Sequence, residues 1–188
     1  GLEWAVGVPG SVGGGVRMNA GGHGSDIAAR LVRVRRFDVA SGQDEMVDAA
    51  ALALGYRHSN VAPAQIVVAA EFRLTAGDAE AALSEVSEIV RWRRANQPGG
   101  QNAGSVFVNP SGDSAGRLVE AAGCKGMRLG AAEVSTKHAN FIQSAPGAAA
   151  ADVAGLIDTV RSRVRASTGV DLVPEVRFLG FETTGPQP

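Results

Sequence analysis

Residues 96–105 read NQPGGQNAGS, and the reading of this stretch decides whether the chain holds one fold or two. Pro98 has no backbone N–H to give a helix interior, Gly99 and Gly100 resist regular structure, and the small polar side chains around them bury little apolar surface. This is the composition of a loop between units, and it predicts a domain boundary. Upstream, Asp78 stands where an N-cap belongs, and Ala79, Ala82, Leu83, Val86, Ile89 and Val90 recur at three- and four-residue steps. They predict an amphipathic helix running to about Ala95, with the basic cluster Arg91, Arg93 and Arg94 at its end. Downstream, Ser114 caps a short helix through Ala122 that Gly123 stops.

Farther out on both sides, helix and strand signals alternate. Arg30–Val39, RLVRVRRFDV, alternates like a half-buried strand, and ASGQ turns the chain. Asp44–Leu54 reads as a short helix. Gln65–Leu74, QIVVAAEFRL, reads as a buried apolar strand bounded by Pro63 and Gly77. In the second half, Met127–Val134 and Ala139–Gln143 read as strands. Asp152 begins a helix with the stripe Val153, Leu156, Ile157, Val160 and Val164, and Gly169 provides a left-handed C-cap. VDLVPEVRF, residues 170–178, closes the pattern as a last strand. The fold class is α+β, built as two mixed α/β units, and 188 residues suffice for two small cores.

Eighteen basic against nineteen acidic residues give a net charge of -1, which supplies no field for nucleic acid or an anionic membrane surface. Neither is expected as a partner. The single Cys124 excludes an intramolecular disulfide and reads as a core residue, and no apolar run approaches the roughly 20 residues that span a bilayer. A reduced, cytoplasmic setting is the expectation. The chain opens on GLEWAVG without an initiator Met or signal peptide, as a piece of a longer protein would.

Residues 7–24, GVPGSVGGGVRMNAGGHG, place eight glycines in eighteen positions. Such backbone can approach a ligand closely or present N–H groups to phosphate. GxxxxGK[ST] is absent, and no G-x-G-x-x-G here has the preceding strand and following acidic residue of a dinucleotide site. A ligand-contacting loop and a set of tight turns both remain open. GYRHSN, residues 55–60, is either a site loop or a solvated one. In AGSVFVNP, residues 103–110, Ser105 and Asn109 flank an apolar pair, but no G-x-S-x-G elbow makes Ser105 a hydrolase nucleophile. VSTKHANF, residues 134–141, carries Lys137 and His138, with no second His or Cys at metal-ligand spacing. No metal site is expected. Glu175 and Arg177 alternate within LVPEVRFLG, on one strand face, either as an ion pair or as part of a site.

The order of these motifs, GVPGSVGGGVRMNAGGHG, YRHS, RRANQP, AGSVFVNP, AGCKGMRLGAAEVSTKHANFI and DLVPEVRFLG, resembles the UDP-N-acetylenolpyruvoylglucosamine reductase family of peptidoglycan synthesis. The likeness runs from Gly1 to about Phe181. It implies that residues 1–95 are part of a FAD-binding, PCMH-like domain, completed in the family by an additional N-terminal segment. Residues 96–168 would be the UDP-sugar domain, and residues 169–188 a return strand and tail carrying Glu175. The implied reaction uses NADPH and FAD to reduce the enolpyruvyl ether of UDP-N-acetylglucosamine to UDP-N-acetylmuramate.

By the same resemblance Ser105 is the proton donor, and Arg57 with Glu175 stabilises the enolate-like intermediate. FAD contacts fall on Val8, Pro9, Gly10, Ser11, Gly13, Gly14, Asn19, Ala20, Gly21, Gly24, Ile66, Val67 and Arg177, and UDP-sugar contacts on Asn109, Lys125 and His138. A monomer is implied. Val108 stands where the family usually has Lys, His23 where Tyr is common and Ser144 where Asn is usual. Only eight residues separate Arg57 from Ile66, so the chain resembles the subgroup without the Tyr-bearing lid. The competing expectations are a non-catalytic flavin- or nucleotide-binding module and a flavin oxidase of the related FAD fold.

Overall fold

The computed structural model describes residues 1–181, and the chain divides into two compact units, Gly1–Arg93 and Arg94–Pro188. Its helices and antiparallel sheets make it α+β. Among the described residues no helix is long and apolar enough to cross a membrane.

In the first unit, α1 (Val12–Arg17) precedes a small hairpin of β1 (Gly21–Gly22) and β2 (Ser25–Asp26). A three-stranded antiparallel sheet follows, in the order β4 (Asp44–Asp48), β3 (Leu31–Asp38), β5 (Gln65–Phe72). α2 (Ala79–Asn96) runs through the division between the units. Trp4, Val16, Ile27, Leu31, Val34, Leu52 and Val61 form the core.

Three expectations are corrected here. Asp44–Leu54 is not a helix: Asp44–Asp48 is a strand, and only Ala49–Leu52 turns helically, as a short 3-10 segment. The strand wins because Asp44 and Glu45 pair across it with Arg35 and Arg36 of β3, at 2.5 Å each, while Val47 turns inward. β5 is half-exposed rather than buried, because it is an edge strand covered on one face. Ile66 and Val68 face outward, while Val67, Ala70 and Phe72 pack on the core. On α2 only Ile89 is fully buried, and Leu83, expected in the apolar stripe, is exposed.

The second unit has a four-stranded antiparallel sheet in the order β6 (Asn102–Ser105), β9 (Phe141–Ser144), β8 (Ala132–Val134), β7 (Arg128–Leu129). α3 (Ala115–Ala121) and α4 (Ala150–Thr168) contribute to one core, in which Val106, Phe107, Leu118, Val134, Ile142 and Leu156 meet. The helix ends follow local chemistry. Ser114 accepts from the Arg117 N–H, and Gly169, at φ +74, closes α4 on the Arg165 carbonyl. Cys124 is buried in this core, and burial pushes its thiol pKa up, away from reactivity.

The loop expected over 96–105 ends as strand β6, since β9 offers its backbone as a partner: Asn102 pairs with Gln143 and Ser105 with Phe141. Met127–Val134 is a hairpin rather than one strand, turning at Gly130 with φ +54. Residues 170–178 do not form a regular strand. A single bridge joins Phe107 to Pro174 as a non-hydrogen-bonded antiparallel pair, so the bonds fall on either side of it, and a proline is tolerated there because its missing N–H would point away from Phe107. Val108 donates to the Val173 carbonyl and Glu175 to the Val106 carbonyl. The tail expected over 182–188 lies outside the described residues.

Gly130 yields a stability prediction. A Cβ there would overlap the Asp152 carboxylate, which accepts from the Ala131 N–H at 3.2 Å, and the positive φ is itself unfavourable for alanine. Gly130→Ala should cost about 2–4 kcal/mol, read as a lowered midpoint in denaturant with an unchanged slope.

Candidate active site

The Gly-rich opening of the first unit combines tight packing with an open cleft wall. Ser11 caps α1 by accepting from the Gly14 N–H at 3.1 Å. Gly13 lets α1 approach β5, since a Cβ would sit 2.9 Å from the Val67 carbonyl oxygen. Gly10 and Gly24, by contrast, have positive φ and open space where a side chain would be. Gly21, Gly22 and Gly24, with Asn19, Asp26, Tyr56 and Arg57, line a cleft of about 390 Å³.

Arg57 is held in that cleft with strain. Its φ is +51 in a turn bridged between Gly55 and His58, a conformation that a non-glycine residue keeps only where its surroundings enforce it. Its guanidinium donates to the Gly21 carbonyl at 3.0 Å and lies 5.0 Å from the Tyr56 ring centroid. Asn19, also at positive φ, is the buried pin. Nδ2 donates to Asp26 Oδ2 and the Gly55 carbonyl, and Oδ1 accepts from the Ala28 N–H. This side chain ties the Gly-rich segment to the Arg57 turn. Of the expected FAD positions, Asn19, Gly21 and Gly24 line the cleft with Arg57, while Ala20 packs beside the first core. Val8 and Val67 also pack there, Pro9, Gly10, Ser11, Gly14 and Ile66 lie outside its lining on exposed backbone, and Arg177 belongs to the second unit.

In the second unit, Ser105 is exposed at the end of β6, and its hydroxyl has no hydrogen-bond partner among the described residues. The next residue, Val106, accepts from the Glu175 N–H at 2.7 Å, which brings the Ser105 and Glu175 backbones side by side. Asn140, buried on the other side, receives the Phe107 N–H on Oδ1 at 2.9 Å and donates from Nδ2 to the Phe107 carbonyl at 2.8 Å. Its own carbonyl accepts from Val106. Tyr56 falls within GYRHSN but has no assigned role there, and Asn140 escapes the reading of motifs, its one sequence signal an amide beside apolar Ala139 and Phe141.

Asn109 Oδ1 accepts from the Ala115 N–H at the start of α3, and His138 lies against Gly116 of the same helix. Lys125 is paired with Glu120 at 3.0 Å on the surface. His138 Nδ1 accepts from the Asn140 N–H, which assigns the proton of the neutral ring to Nε2. Burial, with a smaller push from Lys125, lowers the His138 pKa below its ordinary value of 6.5. In the window below 6.5 the unfolded chain therefore binds more protons than the folded one, so stability is lost as the pH is lowered. Unfolding midpoints measured from about pH 8 to about pH 5 should drop, and His138→Gln should flatten the drop. Asp113, held at about 2 by its ion pair with Arg117, stays ionised throughout that range.

Residues 95–179 match an oxidoreductase family, described as UDP-N-acetylenolpyruvoylglucosamine reductase, C-terminal domain. The reductase of that name from Gluconobacter oxydans is 40% identical over all of this chain, which covers 61% of it. That from Synechococcus sp. strain RCC307 is 46% identical, over 96% of this chain and 60% of its own length. The crystal structure of the Thermus caldophilus reductase superimposes with a TM-score of 0.80 and 37% identity, covering 92% of this chain and 62% of its own. The chain belongs to the UDP-N-acetylenolpyruvoylglucosamine reductase family. It spans about three fifths of the length of the curated relatives it matches.

Proposed function

We propose that this chain is the larger part of a cytoplasmic, monomeric enzyme that reduces UDP-N-acetylglucosamine enolpyruvate to UDP-N-acetylmuramate with NADPH and FAD. The observation that carries the reading is the backbone pairing of Glu175 with Val106, the residue after Ser105, whose exposed hydroxyl has no hydrogen-bond partner among the described residues. The first unit serves as part of a PCMH-like flavin domain. Its cleft fits a planar cofactor edge, since Gly21, Gly22 and Gly24 present backbone without Cβ atoms and Arg57 supplies a fixed cation.

When bound, the flavin supplies a hydride to the methylene carbon of the enolpyruvyl group. The residues of the chain handle the charge and the proton. Arg57 takes the substrate carboxylate, onto which carbanion character at the adjacent carbon spreads, and its planar fork suits two-oxygen recognition. Glu175 supports the same charge distribution, with Arg177 in the same unit as a compensating cation. Ser105 Oγ–H delivers the proton to the carbon next to the carboxylate. A serine hydroxyl is a weak acid, so the step depends on a strongly basic acceptor and on a fixed approach. Asn109, Lys125 and His138 hold the UDP-sugar, Lys125 as a point charge for the diphosphate.

An absorbance spectrum of the purified protein, followed by NADPH and then substrate, tests the reading. Flavin bands that NADPH bleaches and only the enolpyruvyl sugar nucleotide restores support the reductase. Restoration by O₂ alone at the same rate makes it an oxidase. A spectrum without flavin, unchanged by added FAD, leaves a non-catalytic module.

A further inference from the structure

Arg93, near the C-terminal end of α2, joins the two ends of the Gly-rich segment. Its Nη1 donates to the Gly7 carbonyl at 3.2 Å, and its Nε donates to His23 Nε2 at 3.3 Å. Both nearby glycines face the guanidinium: a Cβ at Gly7 would lie 3.5 Å from Nη1, and one at Gly22 would lie 3.6 Å from Nη2. From the same helix, Trp92 meets the His23 ring edge-on, with centroids 5.2 Å apart, which steadies the imidazole that accepts from Arg93. His23 has φ +50, a left-handed conformation that needs outside support in a residue other than glycine. Neither Arg93 nor His23 belongs to the core of the unit, so these contacts order a surface segment rather than hold the fold.

We propose that Arg93 is a positioning residue that clamps the Gly-rich segment closed, holding the Gly21–Gly24 wall of the cleft in place by tying it back to Gly7. It acts through the segment, not on a ligand. A planar guanidinium is required because two acceptors in different directions must be reached at once. The inference rests on the flavin reading for only one of its two measurements.

The first measurement is amide hydrogen exchange over residues 7–24, corrected for intrinsic rates, in the full chain and in the Arg93→Met, Arg93→Lys and His23→Phe variants. Loss of both contacts in Arg93→Met should speed exchange in this segment about tenfold while β3 and β5 keep their protection. Arg93→Lys, which reaches one acceptor, should fall between, and adding His23→Phe to Arg93→Met should change nothing further. The second is FAD release from the holoprotein, about tenfold faster in Arg93→Met and partly restored in Arg93→Lys. Unchanged exchange over residues 7–24, or an equal rise in β3 and β5, overturns the clamp. If the wild-type protein takes up no FAD, the flavin reading fails while the exchange measurement still decides the role of Arg93.

Discussion

Ser105→Ala should lower turnover of the enolpyruvyl substrate by about 10²–10⁴-fold, the range a positioned general acid contributes, while NADPH still bleaches the flavin at the wild-type rate. On the proposed mechanism the two half-reactions separate, because the proton is needed only after hydride has reached the substrate. The substitution removes one exposed hydroxyl that bonds to no other described residue, so it should leave the fold intact. The backbone that aims the hydroxyl is shared with Phe141 through the β6–β9 pairing and does not depend on the side chain. Rapid-mixing absorbance follows both halves. A normal rate of flavin reoxidation by substrate in the variant assigns the proton to another donor. Slowing of both halves instead marks a disturbed site, and the melting midpoint of the variant then tells whether the fold has gone with it.

The parts of the fold legible in the sequence are those decided by neighbours close along the chain. α3 and α4 follow from apolar spacing together with Ser114 and Gly169 at their ends, and β3 follows from its alternation. What escaped depends on partners far along the chain. Asp44 and Glu45 look like a helical first turn until Arg35 and Arg36 are placed opposite them on β3. Residues 170–178 alternate like a strand, yet they meet the chain at 106–108 through a single bridge, and Phe107's own N–H and C=O turn the other way, to Asn140. The glycines divide in the same way. Composition alone cannot tell Gly13, needed for packing against Val67, from Gly24, which borders open space. At the candidate site, the residues alone leave Arg57, Ser105 and Glu175 open between a site and a solvated loop or a simple ion pair, and only the family resemblance gives them roles. Asn140, which braces the Ser105 segment, hides in HAN as one more polar loop residue because its partner Phe107 is 33 positions away.

That brace carries a large expected effect on stability. Asn140 is only 4% exposed, and its amide closes on Phe107 as a neighbouring strand would, accepting the N–H and donating to the carbonyl. Asn140→Ala leaves both Phe107 backbone groups in an interior where Phe107 itself is 2% exposed, out of reach of water. Each stranded group costs about 1–3 kcal/mol, so the variant should lose about 2–6 kcal/mol and melt roughly 10 °C lower. Asn140→Asp should be no better, because a carboxylate can accept the Phe107 N–H but sets an oxygen against the Phe107 carbonyl and buries a charge. A loss below about 1 kcal/mol for Asn140→Ala in denaturant titration would show that the segment is held by other bonds. Comparison with Ser105→Ala then divides chemistry from scaffold. On the proposed mechanism Ser105→Ala should keep the wild-type melting temperature and lose the proton step. Asn140→Ala loses stability first, and loses turnover only as far as residues 105–108 drift from their pairing with Asn140 and Glu175.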